Sequence, residues 1–225
     1  MAEQSTSRAK ISGLPAELVD FAHAGVVLSV FQVARLHELV DRDRLLRDDV
    51  VPEPPYWAHL WIGARAVAKD LAEGGELRGR RVLDLGCGLG LPGLVAAALG
   101  AEVWFVDREA AALEFVRESA RRNSLPNVHS VVADFTAVSL DVEFDVILGA
   151  ELVYEPASYS PLAAFLDRHL HADGEIRLTD AFRADAQTFF EELRRRGFAG
   201  VRERRLEWED GRPHGMFLWR FRRSG

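Results

Sequence analysis

The chain has little of the material that several protein classes require. Its 225 residues contain one cysteine, Cys87, which excludes a disulfide framework and favours a reducing compartment. No apolar run is long enough to span a bilayer, and no basic segment followed by an apolar stretch opens the chain. These absences predict a cytoplasmic protein without membrane contact.

The chain also lacks an excess of positive charge. Twenty-eight Lys and Arg residues face 35 Asp and Glu, which gives a formal net charge of −7, and there is no long basic run. General nucleic-acid binding is therefore not expected. The seven histidines lack the spacing of metal ligands, so no metal is predicted. With 48% hydrophobic residues, the chain can build one sizeable core.

A strand, a glycine turn, a helix and a second strand follow one another between Arg81 and Asp107. Gly86, Gly88 and Gly90 remove three Cβ atoms where a ligand must approach the backbone closely. The pattern predicts a nucleoside-binding α/β unit in which Asp107 meets the ribose hydroxyls. The predicted elements are strand Arg81–Leu85, helix Leu91–Leu99 and strand Ala101–Val106.

Two ligand patterns overlap in this unit. Gly88 to Gly93 match the dinucleotide fingerprint, with Asp107 at about the expected distance. The competing pattern is a hydrophobic strand, the acidic Asp84 and then Gly-x-Gly-x-Gly. A dinucleotide site has no need of that carboxylate, because it would face a pyrophosphate of like charge. A plain strand–turn–helix without a ligand is the remaining alternative.

This second pattern resembles motif I of the class I S-adenosylmethionine-dependent methyltransferases. The resemblance implies that Asp84 helps hold the methionine ammonium through water. Cys87 lies between two glycines with no base implied nearby, which favours a small residue of the loop over a nucleophile. The resemblance also implies contacts of the cofactor with Arg108 and Ala150. After the third strand, Asp134 and Phe135 stand where this fold class brackets the adenine.

Helices and strands alternate after residue 80, and the last two strands are separated by a short connection that predicts a hairpin. The expected fold is α/β: a doubly wound, seven-stranded, Rossmann-like methyltransferase sheet with a C-terminal antiparallel hairpin. The further predicted elements are helix Glu109–Asn123, strands Val128–Val132 and Phe144–Leu148, helix Pro161–Leu170, turn His171–Gly174, strand Glu175–Thr179, helix Asp185–Arg196, and strands Val201–Trp208 and Met216–Phe221.

A small N-terminal extension, residues 1–53, precedes the predicted methyltransferase domain, residues 54–225. Within it, the β-branched stretch Val26–Leu36 favours a strand, although its apolar residues also share one helical face. The charged stretch Arg35–Asp49 is predicted to be a short helix.

A second signature, Pro54 to Ala66, contains Pro-Pro-Tyr-Trp-Ala-x-x-Trp-x-Gly and is predicted to open a helix that runs to about Glu73. Trp57 and Trp61 would then share one helical face, either as core packing or as an aromatic lid over the cofactor. The stretch resembles the family-16 methyltransferases, in particular the lysine methyltransferase of the electron-transfer flavoprotein β-subunit. The resemblance covers about residues 54 to 155.

A third signature is Gly149 to Tyr154, directly after the fourth strand. The family resemblance implies that the acidic side chain, here Glu151, receives the substrate amine and that Tyr154 walls the methyl-transfer site. Most relatives have Asp at this position. A carboxylate here would offset repulsion between a cationic amine and the sulfonium. Alternatively, Glu151 caps the helix that follows near Pro156.

Together these signatures predict an S-adenosylmethionine-dependent methyltransferase whose leading acceptor, by resemblance, is a protein lysine. Two alternatives stay open, a small-molecule N- or O-methyltransferase and a non-catalytic cofactor-binding partner protein. A protein substrate needs an open acidic groove, whereas a small molecule needs a closed apolar chamber. The sequence leaves the oligomeric state open.

Overall fold

The computed structural model describes residues 9–36, 55–182 and 186–225. In chain order the strands are β1 (Lys10–Ile11), β2 (Leu14–His23), β3 (Val26–Val33), β4 (Arg81–Leu85), β5 (Glu102–Asp107), β6 (Val128–Val132), β7 (Phe144–Ala150), β8 (Leu170–Asp180), β9 (Phe198–Glu209) and β10 (Arg212–Arg223). The helices are α1 (Ile62–Gly74), α2 (Leu91–Ala98), α3 (Ala110–Arg122), α4 (Tyr159–His169) and α5 (Ala186–Arg195).

Seven strands form the central sheet in the order β6-β5-β4-β7-β8-β10-β9. The pairs from β6 to β8 are parallel, and β10 runs antiparallel to both of its neighbours. The strand order reverses at β4, where successive crossovers leave to opposite sides, and such a point is where open α/β sheets bind ligands. The predicted seven-stranded fold with a C-terminal hairpin is confirmed.

Helices cover both faces of this sheet. The strands are apolar at successive positions, so they present apolar side chains to both faces, and the helices bury these side chains. Val82, Val103 and Phe105 belong to one core cluster, which includes residues of α1, α2 and α3. Leu83 and Ile147 belong to the other, with α4 and α5. No helix in the described ranges is long and apolar enough to cross a membrane.

The hairpin strands are longer than predicted and leave only two residues between them. Glu209 pairs with Arg212, and Asp210 and Gly211 have φ values of 49° and 73°. Positive φ at both central residues is the geometry of a type I′ turn, which matches the twist of the flanking strands. The strands therefore include polar residues for which the sequence pattern predicts a loop.

The predicted turn at His171–Gly174 is wrong, because β8 begins at Leu170 and runs through it. Phe144 pairs with Leu170 and Val146 with Glu175, so the intervening residues form an irregularity in a continuous strand. The start of the last predicted helix, Asp185, lies outside the described residues.

The N-terminal residues form a separate antiparallel sheet, β1-β2-β3. The strand interpretation of Val26–Leu36 is confirmed for 26–33, and the helical alternative is wrong. Side chains of α3 bind the free edge of β3. Ser119 Oγ accepts from Phe31 N at 2.9 Å, and Asn123 bonds both backbone groups of Ser29. Most of the predicted helix Arg35–Asp49 lies outside the described residues.

The helix predicted from Pro54 begins only at Ile62, so that prediction is wrong in its first two turns. A 3-10 turn, Tyr56–Ala58, is followed by extended backbone at His59. Burial alternates here, with Ala58 and Leu60 in the core and Trp61 at the surface. This period of two is that of an extended chain, so Trp57 and Trp61 do not share a helical face.

Helix α1 is attached to the outer strands of the sheet by Asp70, which is 2% exposed. Its carboxylate accepts from Arg177 on β8 at 2.9 Å, from Arg205 on β9 at 3.1 Å and from Arg220 on β10. Three cations from three strands thus share one buried anion. Because the pairs are hydrogen-bonded, the charge is compensated in the interior.

We expect Asp70→Asn to lower the free energy of unfolding by up to about 3 kcal/mol, since three guanidinium groups would lose the buried carboxylate that they share, although each keeps a glutamate partner. Urea denaturation at neutral pH measures this change. Glu118→Gln is the control, because it removes an exposed pair with Arg121 that should contribute at most about 1 kcal/mol. Equal effects of the two substitutions would contradict the role assigned to Asp70.

Candidate active site

A cavity of about 450 Å³ lies where β4, β5, β6 and β7 end. Its volume is within the range of roughly 300–1,000 Å³ that small-molecule sites occupy. Ten of the predicted site residues line it, namely Trp57, Trp61, Gly86, Asp107, Arg108, Asp134, Phe135, Ala150, Glu151 and Tyr154. The other four are not part of the lining, namely Asp84, Cys87, Gly88 and Gly90.

The glycine turn has positive φ at Gly86, Gly88 and Gly90, which explains the glycine spacing. A Cβ on Gly86 would lie 2.4 Å from Leu152, and one on Gly90 would lie 2.7 Å from Val116. The missing Cβ atoms at Gly86 and Gly90 make room for packed protein atoms, and the approach of a ligand to this backbone stays a prediction.

Asp107 ends β5 and holds the glycine turn in place. Its Oδ2 accepts from Gly88 N at 2.8 Å, and its Oδ1 accepts from Glu109 N at 2.9 Å. Burial raises the pKa of this carboxyl, and the two N–H donors oppose that shift. Each carboxylate oxygen can accept a second hydrogen bond, so the side chain can bind ligand hydroxyls while it supports the turn.

Asp84 is 1% exposed and lies behind the cavity. Its Oδ2 accepts from Gly93 N at 2.8 Å, in the first turn of α2. Burial raises the pKa of this carboxyl to about 8, and the negative charge of Asp107 adds to the shift. The neighbouring Cys87 thiol is also buried, and burial together with these two carboxylates raises its pKa.

Asp134 and Phe135 follow β6 and enter the cavity side by side. Asp134 Oδ1 accepts from the backbone N–H and the hydroxyl of Thr136, both at 2.8 Å, and these bonds lower the pKa of Asp134. The carboxylate is thus held in its ionised form at the rim, where its other oxygen can accept from a ligand amine. Phe135 supplies the apolar wall beside it.

Glu151 follows β7 with a φ of 55°, which is uncommon outside glycine. Its Oε1 accepts from Gly63 N at 3.1 Å, and its backbone N–H donates to Thr179 Oγ1 at 3.2 Å. Gly63 is the second residue of α1, whose N-cap Trp61 gives no side-chain hydrogen bond. Glu151 therefore caps α1 and not the helix near Pro156, which corrects that alternative.

Gly63 must be a glycine for this contact to form. A Cβ there would lie 2.5 Å from Thr179 Oγ1 and 2.7 Å from Glu151 Cγ. The sequence interpretation missed Gly63 and Thr179 as site residues. Gly63 could have been found, because it is the glycine of the Trp-x-Gly signature, whereas nothing in the sequence pattern marks Thr179.

Three aromatic rings stand in a row at the cavity mouth. Tyr56 lies 6.1 Å from Trp61 and 6.4 Å from Tyr154, measured between ring centroids. Trp61 Nε1 also donates to the Tyr56 carbonyl at 2.8 Å. Their exposed fractions are 36% for Trp61, 47% for Tyr56 and 44% for Tyr154, so the mouth is open to solvent. Tyr56 is a further site residue that the sequence interpretation missed.

Negative charge dominates the cavity. Among the residues that the structure describes, its lining includes one cationic side chain, Arg108, and several carboxylates, namely Asp107, Glu109, Asp134, Glu151 and Glu155. S-adenosylmethionine carries a sulfonium and an ammonium, and it presents ribose hydroxyls and an adenine. The excess of carboxylates, the acceptor oxygens of Asp107 and the apolar side chain of Phe135 fit these groups. The same carboxylates would repel the negative charge of a pyrophosphate.

A family model described as lysine methyltransferase, methyltransferase family 16, matches residues 56–196. The chain belongs to this family. It is 36% identical over 129 residues to mouse protein N-lysine methyltransferase METTL21A, covering 54% of this chain and 58% of that protein. It is 29% identical over 130 residues to human histone-arginine methyltransferase METTL23, covering 55% and 63%. This chain thus spans less than two thirds of these relatives.

The fold is also that of solved methyltransferases. Precorrin-6y C5,15-methyltransferase from Geobacter metallireducens superposes with a TM-score of 0.60 at 18% identity, over 70% of this chain and 87% of that chain. At this identity the likeness shows the fold alone. The family assignment and this fold confirm the methyltransferase resemblance, while the narrower likeness to the electron-transfer flavoprotein enzyme stays a prediction.

We expect Asp84→Asn to change how stability depends on pH. The unfolded carboxyl releases its proton near pH 4 and the folded one at about pH 8, so the wild type loses stability as pH rises through this window. Asn can accept from Gly93 N without titrating. Urea denaturation across the window should show the unfolding free energy of the variant rising relative to wild type, and parallel curves would contradict the raised pKa.

We expect Gly63→Ala to displace Glu151 and to slow methyl transfer by roughly ten- to a hundredfold, with S-adenosylmethionine affinity within a few-fold of wild type. Label transfer from methyl-tritiated donor into a lysine-containing protein preparation gives the rate, and calorimetry gives the affinity. Gly74→Ala is the control at the other end of α1, where a Cβ would meet only Arg177 at 3.8 Å. A wild-type rate of methyl transfer in Gly63→Ala would show that the contact between Gly63 and Glu151 does not serve the active site.

Proposed function

We propose that this protein transfers a methyl group from S-adenosylmethionine to a lysine amine of a protein substrate. The carrying observation is that Glu151 projects into an acidic cavity whose aromatic mouth is open to solvent. An open acidic groove fits a cationic side chain on a large partner, whereas a small-molecule acceptor would need a closed apolar chamber. The family assignment supports the same acceptor.

Cofactor binding follows from the strand ends. Asp107 accepts the ribose hydroxyls, Asp134 and Phe135 bracket the adenine, and Asp84 supports the ammonium side from behind the glycine turn. Trp57 lies over this end of the site, where its backbone approaches Gly88 and its ring packs 5.6 Å from Phe115. When bound, S-adenosylmethionine supplies an electrophilic methyl group. The chain itself supplies alignment for an in-line displacement.

Glu151 receives the acceptor nitrogen. Its carboxylate attracts the ammonium of a lysine and, after the proton has passed to solvent water at the open cavity mouth, orients the neutral nitrogen. Because Gly63 N and Thr179 Oγ1 hold the residue on both sides, this position is fixed before any substrate arrives. Tyr154 and Tyr56 flank the path along which the alkyl chain of the lysine enters. We also propose a cytoplasmic location, which the single cysteine supports.

We expect Glu151→Gln to keep S-adenosylmethionine affinity within a few-fold of wild type and to cut methyl transfer by roughly 10²-fold or more. The defect should shrink as pH rises towards about 10, because more lysine is then neutral without help. Single-turnover label transfer across this range measures both effects, and calorimetry measures donor affinity.

Glu191→Gln serves as the control, since Glu191 is an exposed carboxylate on α5 that does not line the cavity. Its methyl-transfer rate should stay close to that of the wild type. If Glu151→Gln has wild-type rates at every pH, Glu151 takes no part in methyl transfer and serves only to cap α1. Tight dinucleotide binding with no binding of S-adenosylmethionine would overturn the cofactor assignment.

A further inference from the structure

Next to the active site, one face of the C-terminal hairpin carries exposed apolar side chains. Leu206 and Trp208 on β9 are 59% and 64% exposed, and Phe182, just after β8, is 45% exposed. We call these three residues the hairpin patch. Isolated exposed apolar residues need no explanation, but a contiguous group of them marks an interaction surface.

The register of the hairpin shows that the patch is contiguous. Leu206 pairs with Gly215 and Trp208 with Pro213, so these side chains share one face of the sheet. The Phe182 ring lies over Gly215, where a Cβ would come within 2.8 Å of Cε2. Farther from the cavity, α5 covers the same face, because Phe190 packs 4.1 Å from Trp219.

Arginines interleave with the apolar residues of this face. The Arg204 guanidinium lies 5.8 Å from the ring centroid of Phe182, and that of Arg202 lies 4.3 Å from Phe217. Both arginines are exposed, while Glu203 and Glu207 point to the opposite face by strand alternation. The patch is therefore apolar and positive, whereas the cavity is acidic. Aromatic residues and arginine are enriched in interfaces.

The patch is held at a fixed place relative to the cavity. Arg65 of α1 donates to the Trp208 carbonyl at 3.5 Å, and His59 lies 3.3 Å from Glu209. His59 packs edge-on against Trp61, which lines the cavity, with 4.7 Å between ring centroids. From β7, where Glu151 follows, to β9 there are three strand spacings, or about 14 Å. An extended peptide spans that distance in about four residues.

We propose that the hairpin patch binds the segment of the protein substrate that flanks the acceptor lysine. The segment has an apolar or aromatic side chain about four residues from the lysine, which packs between Leu206 and Trp208. Acidic side chains beside it pair with Arg202 and Arg204. This inference rests on the proposed function, since it requires a protein acceptor.

The test uses fluorescent synthetic peptides with the full chain. The first peptide carries a lysine, a Leu four residues away and two Asp residues beside the Leu. It is made in two versions, with the Leu before the lysine and with the Leu after it. A second peptide has Ser in place of Leu, and a third has Lys in place of Asp. Fluorescence anisotropy gives binding, and mass spectrometry gives methylation in the presence of S-adenosylmethionine. We expect the first peptide to bind at least about tenfold more tightly than either other peptide.

Trp208→Ala and Leu206→Ala should abolish the preference for Leu over Ser and leave S-adenosylmethionine affinity unchanged. Val201→Ala is the matched control, because Val201 is 68% exposed on the opposite face of the same strand. Equal binding of the three peptides, or an unchanged preference in Trp208→Ala, would overturn the proposal. So would a wild-type dimer in sedimentation that Trp208→Ala dissociates, because the patch would then belong to a second copy.

The two proposals fail in different ways. If the first peptide binds selectively and is never methylated, the lysine acceptor is wrong, and only the selectivity of the patch for an apolar and acidic peptide stands. If peptides are methylated at equal rates whatever their flanks, the lysine acceptor stands and the patch proposal is wrong.

Discussion

Hydrogen bonds from glycine N–H groups to acidic side chains hold the active site together. Three of the central strands place an acidic side chain at or just after their carboxyl end, and each carboxylate accepts from a glycine of another segment. In every case a Cβ on that glycine would meet protein atoms within about 3 Å. The pairs are Asp84 with Gly93, Asp107 with Gly88, and Glu151 with Gly63.

These bonds explain how several acidic side chains can lie close together around the cavity. Carboxylates in a partly dry site repel one another, and burial favours their protonated forms. A fixed N–H donor offsets part of that cost without bringing in a cation, so the cavity keeps its negative potential. A neutralising Lys or Arg at each position would have removed it. The buried Asp70 of α1, at the outer strands of the sheet, is instead paired with three arginines.

Sequence patterns predicted the parts of this structure that depend on local rules. The glycine turn, the alternation of elements and the hairpin each have a short-range cause, in φ preference or in side-chain period. The course of residues 55–61 could not be predicted, because burial of Leu60 and the capping of α1 by Glu151 are contacts between segments distant along the chain. For the same reason, Thr179 carried no signal.

Cys87 follows the first glycine of the turn as the only thiol in the chain. Its raised pKa keeps it protonated at neutral pH, and a protonated thiol is a poor nucleophile towards alkylating reagents and oxidants. While the glycine turn is closed, Cys87 therefore reacts slowly with alkylating reagents and oxidants. Opening of the turn brings the buried Cys87 thiol to solvent and speeds its alkylation, so the native sequence contains its own reporter of loop opening.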